Sequence, residues 1–217
     1  LPSEKTCIIP PAIKLFTGTT TDVRPSLNLS PGDRVIGIIG RLKPDRGYDI
    51  VLKAFRLLKD DTTNVKLVIM GRSSQIEQSI RRPLVELGLQ SDVILAGYRI
   101  EDYFSVIATF DMFVMMRAGS DGTARALREV MSMGVPAIVS DRGMLPDLVD
   151  TNITGFVVPW DPYELAQRFR ILLDNKDLRL SMGEMARKTA REKWTFEKQA
   201  FALKAFYERL IAKRTGR

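Results

Sequence analysis

Few features of the sequence point to an oxidising compartment or to a membrane-spanning protein. Cys7 is the only cysteine, so the chain cannot form an intramolecular disulfide. No apolar run approaches the roughly 20 residues that a membrane-spanning helix needs, and the first residues lack the basic and apolar regions of a secretory signal. We therefore expect a cytoplasmic protein. Because the sequence begins with Leu1 rather than Met, we also expect it to be part of a longer chain.

The composition is that of an ordinary globular protein with a basic surface. Hydrophobic residues make up 45% and charged residues 27% of 217 positions, which suits one large domain or one domain with appended helices. The formal net charge of +7 fits a polyphosphate ligand, a nucleic acid or an anionic membrane surface equally well. Basic pairs such as Arg81-Arg82 and Lys213-Arg214 are typical of solvated helix faces. Since no basic motif is rich in aromatic residues, we expect no nucleic-acid partner.

Short apolar runs alternate with amphipathic stretches along most of the chain. The runs, which predict strands, are 34–40, 65–70, 93–96, 112–116, 136–140 and 155–158. The amphipathic stretches, which predict helices, are 47–60, 74–87, 100–108, 123–133 and 145–149. Strands without a polar face are typical of a parallel sheet covered on both sides. The sequence therefore predicts an α/β fold with a doubly wound, Rossmann-like parallel sheet of about six strands and helices on both faces.

The two ends of the chain differ from this alternating part. Residues 1–30 are rich in Pro, Thr and Ser and are expected to form a linker or extended segment. Residues 31–175 are expected to form the α/β domain. Three successive helices are predicted after the sheet, over 162–173, 178–194 and 196–212. We expect residues 176–217 to be C-terminal helices that pack on the same domain.

Ligands of such sheets bind at the carboxyl ends of the strands, which directs attention to the loops that follow them. The first loop, 40–47, starts at Gly40 and carries three cations, including Arg41 and Arg46. Guanidinium groups there can clasp a diphosphate through charge-assisted hydrogen bonds. Taken alone, the loop is equally compatible with a solvated turn around its Pro-Asp pair.

The second and third loops carry weaker signals. The second can bring backbone amides close to a phosphate or sugar through Gly71, Arg72 and Ser73. A complete G-x-G-x-x-G is absent, which disfavours a dinucleotide site. The third can present backbone groups and an aromatic or guanidinium face to a nucleobase through Gly97, Tyr98 and Arg99. The alternative for this loop is a simple turn in which Tyr98 covers the edge of the core.

The fourth loop leads into a predicted helix that carries a second acid. The amides at the helix start form a candidate anion site favoured by the helix dipole, with Gly122, Thr123, Ala124 and Arg125 as its residues. Asp121 and Glu129 are eight positions apart and could hold separate parts of an extended ligand. Spacing alone also allows Asp121 to be a helix cap and Glu129 a surface acid.

Five groups of residues share an order and spacing with one family. They are 8–13 (IIPPAI), 40–42 with 46–47 (GRL and RG), 120–123 (SDGT) through Glu129, 133–138 (MGVPAI), and 155–158 (GFVV) with Asp161. Together they resemble family 4 (group 1) glycosyltransferases over nearly the whole chain. The resemblance implies the C-terminal, donor-binding half of a GT-B fold, whose N-terminal half would hold the acceptor.

The resemblance also implies roles for individual residues. Arg41 and Arg46 would neutralise the donor diphosphate as it leaves, and Asp121 would hold sugar hydroxyls. Glu129 would bind the ribose, amides of 122–124 the phosphates, and the backbone of 97–99 the base. The implied reaction is glycosyl transfer with retention of configuration. The full set is catalytic Arg41, Arg46 and Asp121, and donor-binding Gly40, Gly71, Arg72, Ser73, Gly97, Tyr98, Arg99, Gly122, Thr123, Ala124, Arg125 and Glu129.

The same resemblance defines the expected ligands and partners. The substrate is a nucleoside diphosphate sugar, and the acceptor is a glycan or a lipid-linked molecule held by the N-terminal domain. Related enzymes commonly place a histidine in that domain, and because this chain has none we expect it to be inactive alone. We expect no cofactor and no metal, since cationic side chains replace the divalent ion and Asp-x-Asp is absent. From the positive charge and the family's lipid-linked acceptors, we expect peripheral contact of the full-length enzyme with the inner membrane surface.

Three departures from the family pattern bear on these roles. Arg46 stands where Lys is usual and keeps the charge, Asp121 stands where Glu is usual and reaches less far, and Ser73 replaces a second glycine. The alternative function is a non-catalytic nucleotide-binding or regulatory module of the same architecture. A phosphosugar epimerase is disfavoured because its usual histidines are lacking.

Overall fold

The computed structural model describes residues 6–118 and 124–215. Six strands form one sheet in which every pair of neighbours is parallel. The strands are β1 (Arg34–Ile39), β2 (Val65–Met70), β3 (Val93–Gly97), β4 (Met112–Met115), β5 (Ala137–Ser140) and β6 (Gly155–Val158). Their order is β3-β2-β1-β4-β5-β6, so the direction of winding reverses between β1 and β4. This confirms the doubly wound sheet.

The strands are apolar on both sides because both faces of the sheet are covered. Ile36 and Ile38 of β1 belong to one hydrophobic core, and their neighbour Val35 belongs to the other. In β2, Leu67 and Val68 divide between the two cores in the same way. Alternate side chains of a strand point to opposite faces. Continuous apolar sequence is therefore what a central strand of this sheet needs.

Helices cover both faces, as predicted. They are α1 (Tyr48–Lys59), α2 (Arg82–Glu86), α3 (Tyr103–Ile107), α4 (Arg125–Ser132), α5 (Pro162–Asp174), α6 (Lys176–Lys193) and α7 (Phe196–Thr215). The core of one face receives side chains from α1, α2 and α5, and the core of the other face receives them from α3 and α4, while α6 contributes to both. The helix predicted over 145–149 is only a 3-10 turn, Leu145–Asp147, with Pro146 in its first positions.

The helix predicted over 74–87 is divided in the structure. A π-helical turn, Glu77–Arg81, precedes α2, and the amide of Arg82 donates to the carbonyl of Glu77. Pro83 has no amide hydrogen and its ring crowds the preceding turn. A π-bulge accommodates both conflicts without ending the helix, because it widens the turn that faces the proline.

The segment that precedes the sheet packs closely although it holds little regular structure. Between residues 6 and 33 the structure has one 3-10 turn, Pro25–Leu27. Ile13 and Leu27 are buried in the core that α3 and α4 cover, and the amide of Ile13 donates to the carbonyl of Trp194, 2.9 Å away. These residues anchor the segment to the domain. The division of the chain at residues 30 and 175 stays a proposal.

The C-terminal helices differ in how they pack. Asp161 caps α5 by accepting hydrogen bonds from the amides of Tyr163 and Glu164, and Asn175 caps α6. α6 lies against α4. Most side chains of α7 are exposed, including the apolar Phe201 and Ile211. Within the part of the chain that the structure describes, no helix is long and apolar enough to cross a membrane.

Candidate functional site

A cleft of about 1030 Å³ opens at the carboxyl ends of β1, β2 and β3. Its walls come from the loops after these strands and from the first turns of α3 and α4. The cleft brings together nine of the predicted residues: Gly40, Arg41, Gly71, Arg72, Ser73, Tyr98, Arg99, Arg125 and Glu129. Two predicted residues, Gly97 and the buried Ala124, do not line the cleft, although each directly precedes a residue that does. Asp121, Gly122 and Thr123 lie outside the described residues.

Backbone hydrogen bonds hold the first three loops in register beyond the ends of the strands. The amide of Gly40 donates to the carbonyl of Met70, 3.0 Å away, and the amide of Gly71 donates to the carbonyl of Gly97, 2.8 Å away. Gly71 has φ of +152°, and a Cβ built on it would overlap the carbonyl oxygen of Gly40. Glycine is therefore required at position 71, where the second loop passes close to the backbone of the first.

The first loop folds as a 3-10 turn, Pro44–Arg46, which ends at Gly47 with φ of +77°. A Cβ on Gly47 would lie 2.6 Å from Cβ of Met116 and from the ring of Trp160, so this turn sits tightly against the residues that follow β4 and β6. Tyr48, at the start of α1, donates its hydroxyl to the carbonyl of Arg41, 3.1 Å away. The backbone of the loop is thereby fixed while the side chain of Arg41 stays exposed.

Arg46 occupies a different position from the other predicted cations. It lines a small neighbouring cavity of about 40 Å³, together with Met116 and Arg117, and does not line the large cleft. Gly40 and Arg41 border both spaces. Arg46 lies 3.6 Å, Nε to Oδ1, from Asp45. The two arginines of the first loop therefore flank the junction of the two cavities.

Glu129 is buried, with 5% of its surface exposed, although it belongs to the cleft wall. Its Oε2 accepts a 2.8 Å hydrogen bond from the hydroxyl of Tyr103, and its Oε1 accepts a 2.7 Å hydrogen bond from Nε of Arg125. The alternative that Glu129 is a surface acid is wrong. Glu129 lies on the buried face of α4 and is contacted by Tyr103 of α3, and spacing along one helix does not show that.

The Glu129 carboxylate alters the titration of both its partners. Burial raises the pKa of the Tyr103 hydroxyl far above its ordinary value, and the charge of Glu129 and the hydrogen bond to it raise it further. The hydrogen bond to Glu129 raises the pKa of Arg125, and the attraction between the two charges adds to this effect. Tyr103 is therefore a neutral donor, and Arg125 a charged one, at any physiological pH.

The second and third loops meet through a cation–π contact. The guanidinium carbon of Arg72 lies 4.5 Å from the centre of the Tyr98 ring. Tyr98 is 59% exposed, so the alternative that it covers the edge of the core is wrong. Arg99 is held by hydrogen bonds to the carbonyl of Ala96, 2.7 Å, and to the carboxylate of Asp102, 2.8 Å. Arg72 and Tyr98 thus form an exposed platform beside a fixed Arg99.

Several residues of the cleft were not predicted from the sequence. They are Ile39, Met70, Ser74, Ile100, Tyr103, Phe104 and Ala126, together with Lys43 of the first loop. Tyr103 is the most informative of them, because it bonds Glu129 from another helix. The sequence offers one signal for Tyr103. It lies in the first helical turn after the third loop, and that turn lies at the edge of the sheet where the strands end.

The charges that line the cleft are predominantly positive. Its lining residues include five cations, Arg41, Lys43, Arg72, Arg99 and Arg125, and one carboxylate, Glu129. Such a wall attracts an anion of several charges. Across residues 6–118 and 124–215, no group of three or more Cys, Asp or Glu side chains is arranged to hold a metal ion. The expectation of a metal-free site stays a prediction.

Comparison with known proteins identifies relatives over most of the chain. The family model "Glycosyl transferases group 1" matches residues 19–189. A D-inositol 3-phosphate glycosyltransferase from Corynebacterium jeikeium is 31% identical over 82% of this chain and 44% of its own length. A GDP-mannose-dependent mannosyltransferase from Corynebacterium glutamicum, specific by name for monoacylated phosphatidylinositol monomannoside, is 29% identical over 85% of this chain and 51% of its own length.

Solved structures share the fold. Sucrose-phosphate synthase from Thermosynechococcus elongatus superposes with a TM-score of 0.79 and 22% identity, covering 94% of this chain and 52% of that one. HepE from Anabaena, solved with UDP-glucose, superposes with a TM-score of 0.74 and 20% identity, covering 88% of this chain and 51% of that one. The chain thus spans about half the length of the proteins that it matches. With the family model covering most of its residues, the chain belongs to the group 1 glycosyltransferases.

Proposed function

We propose that this chain is the donor-binding domain of a retaining glycosyltransferase, which transfers a sugar from a nucleoside diphosphate sugar to an acceptor. The observation that carries the proposal is the cleft at the carboxyl ends of β1 to β3, whose lining includes five cations and one buried carboxylate, Glu129. A diphosphate needs cations, and a ribose needs a fixed hydrogen-bond acceptor. The cleft offers both, at the edge where sheets of this topology bind nucleotides.

The diphosphate belongs near the first loop. Arg41 borders both the large cleft and the small cavity that holds Arg46, so a diphosphate placed between them receives two guanidinium groups. Each can form bidentate hydrogen bonds with phosphate oxygens. As the bond between sugar and diphosphate breaks, negative charge grows on the leaving group, and these cations stabilise that charge. Asp121, Gly122 and Thr123 keep the roles that the family resemblance implies.

The nucleoside belongs at the other end of the cleft. Glu129 is the acceptor for ribose hydroxyls, and the platform of Arg72 and Tyr98 provides a flat surface for the base. Two similar proteins support a nucleotide of this kind. HepE was solved with UDP-glucose, and the mannosyltransferase from Corynebacterium glutamicum is named as GDP-mannose-dependent.

The remaining partners follow from the length of the relatives. Since this chain spans about half of them, we propose that an N-terminal domain completes the enzyme and holds a glycan or lipid-linked acceptor. We further propose that the enzyme works in the cytoplasm, with peripheral contact at the inner membrane surface where its acceptor is lipid-linked. Neither a metal nor a cofactor is part of the proposed reaction.

The test compares the full-length protein with the present chain. Each is incubated with UDP-, GDP- and ADP-sugars and a panel of glycan and lipid-linked acceptors, and product is followed by nuclear magnetic resonance. We expect transfer by the full-length protein alone, without added metal and with the anomeric configuration of the donor kept. Transfer by the present chain at a comparable rate would show that the acceptor does not need a second domain. An inverted product would contradict the retaining mechanism.

A further inference from the structure

Each oxygen of the Glu129 carboxylate accepts one hydrogen bond from a described side chain. Tyr103 donates to Oε2 at 2.8 Å, and Arg125 donates to Oε1 at 2.7 Å. An ionised carboxylate has about four acceptor sites, two on each oxygen. The described contacts of the side chain thus leave one site on each oxygen, and the residue forms part of the cleft wall. Two acceptor sites side by side fit two adjacent hydroxyl groups.

The two donors differ in how firmly they hold the carboxylate. The side chain of Arg125 is 67% exposed and lies four residues before Glu129 on the same helix. Although Glu129 is buried, water can compete for the exposed guanidinium, so this ion pair is expected to hold the carboxylate only weakly. Tyr103 comes from α3, packs against the core and meets the ring of Phe104 edge-on at 5.1 Å. Phe104 in turn stacks on Phe16 at 4.7 Å. The tyrosine is therefore the rigid anchor of the pair.

We propose that Tyr103 is a positioning residue that orients the Glu129 carboxylate to accept hydrogen bonds from both hydroxyls of a ribose 2′,3′-diol. This inference rests on the proposed nucleotide site and deepens it, because it adds the residue of α3 that orients the ribose-binding acid. Tyr103 need not touch the nucleotide through its hydroxyl. The Tyr103 hydroxyl holds Oε2 of Glu129 in place and thereby fixes the plane of the carboxylate.

The consequence is selectivity between a ribonucleotide and an analogue without the diol. A site built to bond hydroxyl groups rejects a ligand that lacks them, since its polar atoms are then left without partners. If Tyr103 acts only through this recognition, its loss lowers affinity for the ribonucleotide and leaves affinity for the dideoxy analogue unchanged. A merely structural role would lower both affinities together.

The experiment uses the 217-residue chain and calorimetric titration. UDP, GDP and ADP are each compared with their 2′,3′-dideoxy analogues on the wild type, on Tyr103→Phe and on Tyr48→Phe. Tyr48 is the matched control, because it is a buried tyrosine whose hydroxyl donates to the backbone carbonyl of Arg41 in the first loop instead of to Glu129. Thermal melting checks that each variant folds, and Tyr103→Met replaces Tyr103→Phe if the latter does not.

We expect the wild type to prefer the ribonucleotide. Tyr103→Phe should weaken ribonucleotide binding by roughly tenfold, as expected for a hydrogen bond to a charged group, and leave the dideoxy analogue unaffected. Tyr48→Phe should change the affinities for the ribonucleotide and for its dideoxy analogue by the same factor. In a Glu129→Ala background, Tyr103→Phe should have no further effect on the preference.

Two results would overturn the inference while leaving the nucleotide site intact. One is an unchanged ribose preference in Tyr103→Phe, and the other is an equal loss of affinity for both forms of the nucleotide. If the wild-type chain binds none of UDP, GDP and ADP, the titration is repeated on the full-length protein, and absence of binding there too would contradict the proposed function itself. The panel therefore separates a failure of the positioning role from a failure of the site.

Discussion

Nη2 of Arg179, on α6, lies 3.2 Å from Oδ1 of Asp111, the residue that immediately precedes β4. The same carboxylate accepts hydrogen bonds from the guanidinium of Arg34 and from the amide of Val35, at the start of β1. Asp111 therefore ties a C-terminal helix to the two central strands, at the edge of the sheet opposite the cleft. Arg179 is only 5% exposed, so burial lowers its pKa, and the Asp111 charge opposes that effect.

Removing this carboxylate should destabilise the domain without touching the cleft. Asp111→Ala leaves a buried arginine without its counter-charge, for which we expect a loss of about 3 kcal/mol in the free energy of unfolding. Asp61→Ala is the control, because it removes a carboxylate that is paired with Arg170 at the surface, and it should cost under about 1 kcal/mol. Urea denaturation measures both. Equal losses in the two variants would contradict the structural role.

The ionisation of Asp92 should make the stability of the fold depend on pH. Burial alone would raise the pKa of this carboxyl, but hydrogen bonds from Lys66 and Lys59 outweigh burial and lower it. A lowered pKa in the folded state means that the ionised group stabilises the fold above its unfolded-state pKa, about 3.9. That contribution is lost as the pH falls through the folded-state pKa.

Asp92→Asn should therefore be less stable than the wild type at pH 7, and the difference should shrink below about pH 4. The measurement is the unfolding midpoint of both proteins in urea between pH 3 and pH 7. A difference that stays constant across this range would show that the charge of Asp92 does not contribute.

Gly71 should tolerate no side chain. Gly71→Ala places a Cβ onto the carbonyl of Gly40 at a backbone conformation that alanine rarely adopts. We expect a loss of about 2 kcal/mol or more and weaker nucleotide binding, since the first two loops must separate. Gly32→Ala is the matched control, because a Cβ there meets nothing within 4 Å. Thermal unfolding and titration on both variants test this, and similar behaviour of the two would refute it.

Tyr98 should contribute to binding but not to folding. Since it is 59% exposed and forms the platform with Arg72, Tyr98→Ala should leave stability nearly unchanged. It should weaken nucleotide binding about tenfold through lost stacking on the base. Tyr163→Ala, which removes an exposed tyrosine on α5 away from the cleft, serves as the control and should bind normally. Normal binding by both variants would exclude a stacked base.

The sheet could be predicted from the sequence because its strands have no polar face. A parallel sheet also gathers its loops at one edge, so Arg41, Arg72 and Arg99 could be assigned to one site before any contact was known. The burial of Glu129 could not be predicted in this way. It depends on how α3 and α4 are rotated against each other, and the tyrosine that reveals it is 26 residues away.

Two further features depend on three-dimensional packing. The placement of Arg46 in the smaller cavity depends on the turn at Gly47, which is set by contacts with Met116 and Trp160 far along the chain. The burial of Ile13 and Leu27 could not be predicted from the sequence, because the composition of residues 1–30 is that of a linker. Local sequence shows no periodicity there, because the segment follows the surface of the domain instead of forming an element.

The most direct test of the central claim is calorimetric titration of the chain with UDP, GDP and ADP and with their sugar conjugates. We predict selective binding of one nucleotide, weakened at least tenfold by both Arg41→Ala and Glu129→Ala. Arg56→Ala, an arginine on α1 outside the cleft, should leave binding unchanged. If no nucleotide binds to this chain or to the full-length protein, or if neither cleft substitution weakens binding, the cleft is not the donor site.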